Sequence, residues 1–173
     1  MHSSALSEGK PIAMVNVDAA IDAVAAQRKA RFWNKVARKY ARDPIADMAG
    51  YEKTLQRVQA LLSPDHEVLE IGCGTGSTAL RLAPGTRRLL ATDVSAEMVA
   101  IAREKLAAQP VPQLRFGLAG AEDAADGAVH DTVLAFNVLH LVSDLDQALA
   151  RAVQALRPGG LLISKTPCIA EMN

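Results

Sequence analysis

A doubly wound α/β sheet is the fold class that this sequence predicts, and three observations carry it. From about residue 66 the chain alternates short apolar runs with segments of helical period, joined by brief turns. The apolar runs are continuous rather than alternating, as strands are when both faces of a parallel sheet are covered. A glycine-rich turn, "GCGTG" over residues 72–76, follows the first of these runs directly, and ligands of such sheets sit beyond the carboxyl ends of the strands.

The elements follow in order. Residues 16–43 are rich in alanine and strong helix formers, which predicts one or two helices ending at Asp43-Pro44. "MAGYEKTLQRVQALL" predicts a further helix with Leu55, Val58 and Leu62 on one face, and Ser63-Pro64-Asp65 a turn. "HEVLEIG" reads as the first strand, "GSTALRLA" as a helix and "RRLLATD" as the second strand. "SAEMVAIAREKLAA" is a helix capped by Ser95, its inner face formed by Met98, Ile101, Ala102 and Leu106. "QLRFG" and "DTVLAFN" are the third and fourth strands. "SDLDQALARAVQALR" predicts a helix with a capping-box spacing at Ser143 and Asp146 and an inner face of Leu145, Leu149, Val153 and Leu156. Pro158-Gly159-Gly160 stops it, and "LLISKTP" is the fifth strand.

Domain organisation follows: a flexible tail over 1–15, a helical cap over 16–64 and an α/β core over 65–173. The 173 residues carry no formal net charge and are 50% apolar, an ordinary globular balance without the electrostatic footprint of a nucleic-acid or anionic-membrane binder. The basic clusters at Arg28–Arg31 and Arg87-Arg88 read as solvated faces. Cys73 and Cys168 lie far apart and outside any metal-binding spacing, which points to a reducing, cytoplasmic compartment. No apolar stretch reaches transmembrane length, and the N-terminus lacks the basic-then-apolar order of a signal peptide.

The glycine turn admits two readings. A dinucleotide fingerprint places its third glycine, or an alanine, at position 77; this chain has Ser77 there and Gly76 one residue earlier. Glu70 precedes the turn, and a carboxylate there opposes a pyrophosphate while suiting a ligand that carries an ammonium and a sulfonium. An acid one strand later, Asp93, stands 21 positions after Gly72 and is common to both readings.

"VLEIGCGTG" resembles the first motif of class I S-adenosylmethionine-dependent methyltransferases. "LLATDVSAEMVAIAREK" resembles their second motif, and "DTVLAFNVLHLVSDLDQALARAVQALRPGGLLI" the fourth strand, following helix and fifth strand of their small-molecule, ubiquinone-biosynthesis-like branch. The resemblance spans roughly residues 32–167. It implies a Rossmann-like sheet of strand order 3-2-1-4-5, S-adenosylmethionine as cofactor and methyl transfer to a small-molecule or lipid-like acceptor. By the same resemblance, Gly72, Cys73 and Gly74 line the methionine part, with Glu70 orienting its amino group. Asp93 takes the ribose hydroxyls, Val94 and Met98 flank the adenine, and Ala121 and Glu122 hold its polar edge. Asn137 offers its backbone carbonyl to the ammonium, and Tyr40 reaches the cofactor or closes the pocket.

Two departures from the family pattern stand out. Gly120 occupies a place where the family often has an aspartate, and the chain stops at Asn173 where the family continues into strands six and seven. The open edge that this leaves invites self-association. It also keeps a non-catalytic cofactor-binding module in view, beside a less favoured NAD-dependent oxidoreductase. Methyl transfer from a sulfonium is mainly a matter of positioning, so no dedicated catalytic motif is required. His140 is the one histidine placed to act as a base, with a packing role as its alternative. Cys73 reads as a small packing residue, and no acidic cluster indicates a metal.

Overall fold

The structure, a computed structural model, describes residues 17–123 and 129–167. The tail over 1–15 and Cys168 lie outside the described residues. Five strands form one sheet in the order β3-β2-β1-β4-β5, and every neighbouring pair is parallel. They are β1 (Glu67–Ile71), β2 (Arg88–Asp93), β3 (Leu114–Leu118), β4 (His130–Phe136) and β5 (Leu156–Lys165). The order expected from the resemblance is therefore the observed one.

The helices are α1 (Val17–Tyr40), α2 (Met48–Gln59), α3 (Ser77–Leu82), α4 (Ala96–Ala108) and α5 (Leu145–Gln154). Strand order reverses between β1 and β4, so right-handed crossovers place α3 and α4 on one face and α5 on the other. The packing agrees. Leu134 joins a large core with Leu55, Leu82, Leu89, Val99 and Leu114, while its neighbour Val133 joins a smaller one with Ala152 and Ala155. Adjacent residues of a strand thus feed opposite cores.

Of the stretch 16–43, the described residues from Val17 form a single helix rather than two, running to Tyr40. It packs against α4 through Ala37, Met98 and Ile101, with Trp33 and Ala41 at the margin. Asn34 Oδ1 accepts hydrogen bonds from Ser95 Oγ (2.7 Å) and the Glu97 amide (3.1 Å). Ser95 caps α4 as expected, accepting from the Met98 amide, and Asn34 extends that cap from a distant helix.

Two expectations about α5 are corrected. Its N-cap is Asp144, whose side chain accepts from the Gln147 amide, not Ser143. Its inner face is Ala148 and Ala152, while Leu145 (48% exposed) and Val153 (59%) face out. Small side chains let the helix approach β4 more closely than leucines would, so packing distance overrides hydrophobicity here. The fifth strand also starts earlier than residue 161. Leu156 already pairs with His130, and an irregularity before Thr132 absorbs Pro158-Gly159-Gly160, with Gly159 at φ 81°.

Among the described residues no helix is long and apolar enough to cross a membrane.

Candidate functional site

The chain turns sharply at the carboxyl end of β1. Gly72, Gly74 and Gly76 have φ of 67°, 53° and 75°, a region that side chains of L-residues disfavour. Each glycine answers a different demand. A Cβ at Gly72 would stand 2.4 Å from Val138 Cγ2, and one at Gly76 would stand 2.5 Å from Phe116 Cζ and 2.9 Å from Ala102 Cβ. A Cβ at Gly74 would meet nothing within 4 Å, so there the backbone borders open space.

That space is a cavity of about 570 Å³ at the carboxyl ends of β1, β2 and β4. Eleven residues singled out from the sequence line it together: Tyr40, Glu70, Gly72, Cys73, Gly74, Asp93, Val94, Met98, Ala121, Glu122 and Asn137. His140 does not. It sits exposed on the 3₁₀ turn Leu139–Leu141 and is not among the lining residues.

The electrostatics of the floor are unusual. Glu70 is 2% exposed, and its Oε2 has no hydrogen-bond partner. Burial, reinforced by the nearby Asp93 charge, pushes its carboxyl up to about 8. Asp93 is raised too, by burial, but is held back by amide hydrogen bonds. Its Oδ2 accepts from the Gly74 amide and its Oδ1 from the Ser95 amide, both at 2.9 Å. Asp93 therefore ties the glycine turn to the start of α4. Cys73 is buried, its amide bonded to the Thr92 carbonyl, and burial raises its thiol far from the thiolate range that nucleophilic catalysis needs.

The walls come from farther away in the sequence. Glu122 Oε1 accepts from the Ser143 amide (2.6 Å) and the Asp144 amide (3.1 Å) and lies 3.6 Å from Lys29 Nζ. Its carboxylate joins α1, the segment after β3 and the start of α5. Asn137, at φ 54°, turns the chain beyond β4 and donates its amide to the Lys165 carbonyl. Tyr40 is 54% exposed and stands edge-on to Trp33, with ring centroids 6.2 Å apart.

Sequence reasoning missed several lining residues. Ala26, Lys29 and Trp33 share the face of α1 that also carries Tyr40, a helical periodicity that the sequence contains. Tyr51 and Thr78 face one another at 3.3 Å across α2 and α3, a contact with no local signal. Lys105, ten positions into α4, reads as an ordinary charged-face residue, yet it also lines the cavity.

The chain is similar to proteins already characterised. Trans-aconitate 2-methyltransferase of Variovorax paradoxus is 37% identical over 103 residues, which are 58% of this chain and 38% of that protein. Highly reducing polyketide synthase NEC1 of Pyricularia oryzae is 30% identical over 147 residues, 76% of this chain and 5% of that one. The chain thus spans well under two thirds of the length of these curated relatives. Among solved structures, the DhpI–SAH complex superposes with a TM-score of 0.67 at 25% identity, covering 80% of this chain and 67% of that one. The family model described as "Methyltransferase domain" matches residues 69–162. That match takes in more than half of the 173 residues and the whole glycine turn, and the chain belongs to the methyltransferase-domain family.

Proposed function

We propose that the cavity takes S-adenosylmethionine and that the protein transfers its methyl group to a small, largely apolar or lipid-like acceptor. The observation that carries this reading is Glu70: a buried carboxyl, unpartnered at Oε2, in the floor of a cavity that the open side of Gly74 also borders. Such a group asks for a cationic donor, and a phosphate would be repelled by its ionised form.

The bound cofactor supplies a sulfonium, which makes the methyl group electrophilic and gives it a good leaving group. The residues of this chain bind and orient. Glu70 and the Asn137 carbonyl take the ammonium, and Asp93 takes the ribose hydroxyls on lone pairs that the Gly74 and Ser95 amides leave free. Val94 and Met98 flank the adenine. Ala121 offers backbone polar groups to its edge, while Glu122 acts through Ser143, Asp144 and Lys29 to hold that loop in place. Tyr40 closes the opening. Trp33, Tyr51, Phe136 and Leu141 give the acceptor side an apolar surface. His140 has no part in this reading.

Calorimetry tests it. S-adenosylmethionine and S-adenosylhomocysteine are expected to bind and NAD not to; the reverse pattern sinks the proposal. Turnover with radiolabelled methyl donor over a panel of phenols and fatty acids then separates an enzyme from a binding module. We also place the protein in the cytoplasm, a reading that its two widely separated, unclustered cysteines support. We further propose that β5, which pairs only with β4 among the described residues, lets two copies associate edge to edge. Sedimentation velocity showing a monomer at high concentration would exclude that association.

A further inference from the structure

Lys105 lines the cavity but has no place among the proposed cofactor contacts. Its ammonium donates to Thr75 Oγ1 (2.9 Å) and Ser77 Oγ (3.0 Å), the two residues that flank Gly76. Gly76 itself lies against Ala102, one turn earlier on α4, so closely that a Cβ would not fit. Ala102 and Lys105 therefore face the turn from one side of α4. Gly76 is the N-cap of α3 and offers no side-chain cap of its own. The turn is thus held at three points: by Asp93 at Gly74, by the Ala102 contact at Gly76, and by the Lys105 bonds on either side of Gly76. Lys105 has no carboxylate within ion-pair distance among the described residues, so its desolvation is not offset by charge pairing; burial lowers its ammonium.

We propose that Lys105 is a positioning residue: it clamps Thr75 and Ser77 to α4 and so fixes the turn in the shape that Gly72 and Gly74 present to the ligand. The proposal goes beyond the cofactor reading, and its first test does not depend on it. Hydrogen exchange of the ligand-free protein is measured on the peptide spanning 71–78, for wild type, K105M and K105R. K105M keeps most of the aliphatic stem and loses the donors. Exchange in that peptide is expected to rise about tenfold in K105M, the loss of charged hydrogen bonds, with α5 and β4 unchanged and K105R close to wild type. Unchanged exchange in K105M overturns the proposal, as does a rise spread equally over the whole protein.

The second test couples the clamp to binding. S-adenosylhomocysteine affinity is measured for K105M, T75V and the double variant. Weakening by about five- to twentyfold in K105M is expected, with the double variant no worse than K105M alone. Additive losses, or wild-type affinity in K105M, overturn the link. Failure of wild type itself to bind the ligand refutes the cofactor reading, while the exchange result still decides the clamp.

Discussion

At the scale of single residues, the glycine turn separates stability from binding. Gly74→Ala puts a Cβ into open space at φ 53°, so it carries only the left-handed strain of about 1–2 kcal/mol while intruding on the cavity. Gly76→Ala adds a clash with Phe116 and Ala102, about 1–3 kcal/mol more. Urea melts should therefore rank G76A as the less stable, and ligand titration should show affinity lost in G74A despite its better fold. Glu70 gives a pH signature. Its folded-state value of about 8 lies above the ordinary 4.5, so the folded protein holds a proton that the unfolded chain releases. Stability contributed by the protonated form is complete below about pH 4.5 and declines as pH rises to about 8. Thermal melts of ligand-free protein should fall across that window. E70Q should flatten the fall in part, since Asp93 is shifted in the same direction. A wild-type curve that rises over the window would contradict the burial of Glu70. Both Glu70 and the turn were legible in the sequence, because strand, acid and glycines are contiguous. The chemical state of Glu70 was not, because it depends on Asp93 and on burial by elements far along the chain.

At the scale of elements, α1 is part of the site rather than a decoration on it. It carries Lys29, Trp33 and Tyr40 to the cavity and docks on α4 through Ala37 and Asn34. Asn34→Ala removes a cap partner for Ser95 and Glu97 and should cost about 1–2 kcal/mol in chemical denaturation. Removing Arg38, exposed beside Glu97 and Glu104, should cost less. Equal losses would mean that α1 is held by its surface ion pairs. The sequence predicted each helix well but misjudged the face of α5. Helical period alone favoured Leu145 and Val153; the interior chose Ala148 and Ala152, because close approach to the sheet is a tertiary demand.

At the scale of the whole molecule, the parallel sheet and the cavity's place beyond the carboxyl ends of its strands follow from the alternation of strand and helix, whereas the strand order was legible only through the family resemblance. What was hidden is the set of contacts between distant segments: Asn34 to Ser95, Lys105 to Thr75, and Glu122 to Ser143. No local pattern encodes a pair. A ligand that bridges these segments stabilises all of them together. At a hundredfold excess over its dissociation constant, S-adenosylhomocysteine should add about 2.7 kcal/mol and raise the melting temperature by roughly 5–10 °C. NAD at the same concentration should leave it unmoved; a shift with NAD alone would reverse the assignment. The long-range cap at Asn34 also has a kinetic meaning. Its bond to Ser95 closes across 61 residues, so the amino end of α4 is completed only when a segment from the far side of two strands arrives. Closing a loop of that span costs entropy before the contact repays it, so we expect it to form late. In stopped-flow experiments N34A should leave the refolding rate nearly unchanged and speed unfolding, which makes the docking of α1 the latch that sets how long the folded molecule lasts.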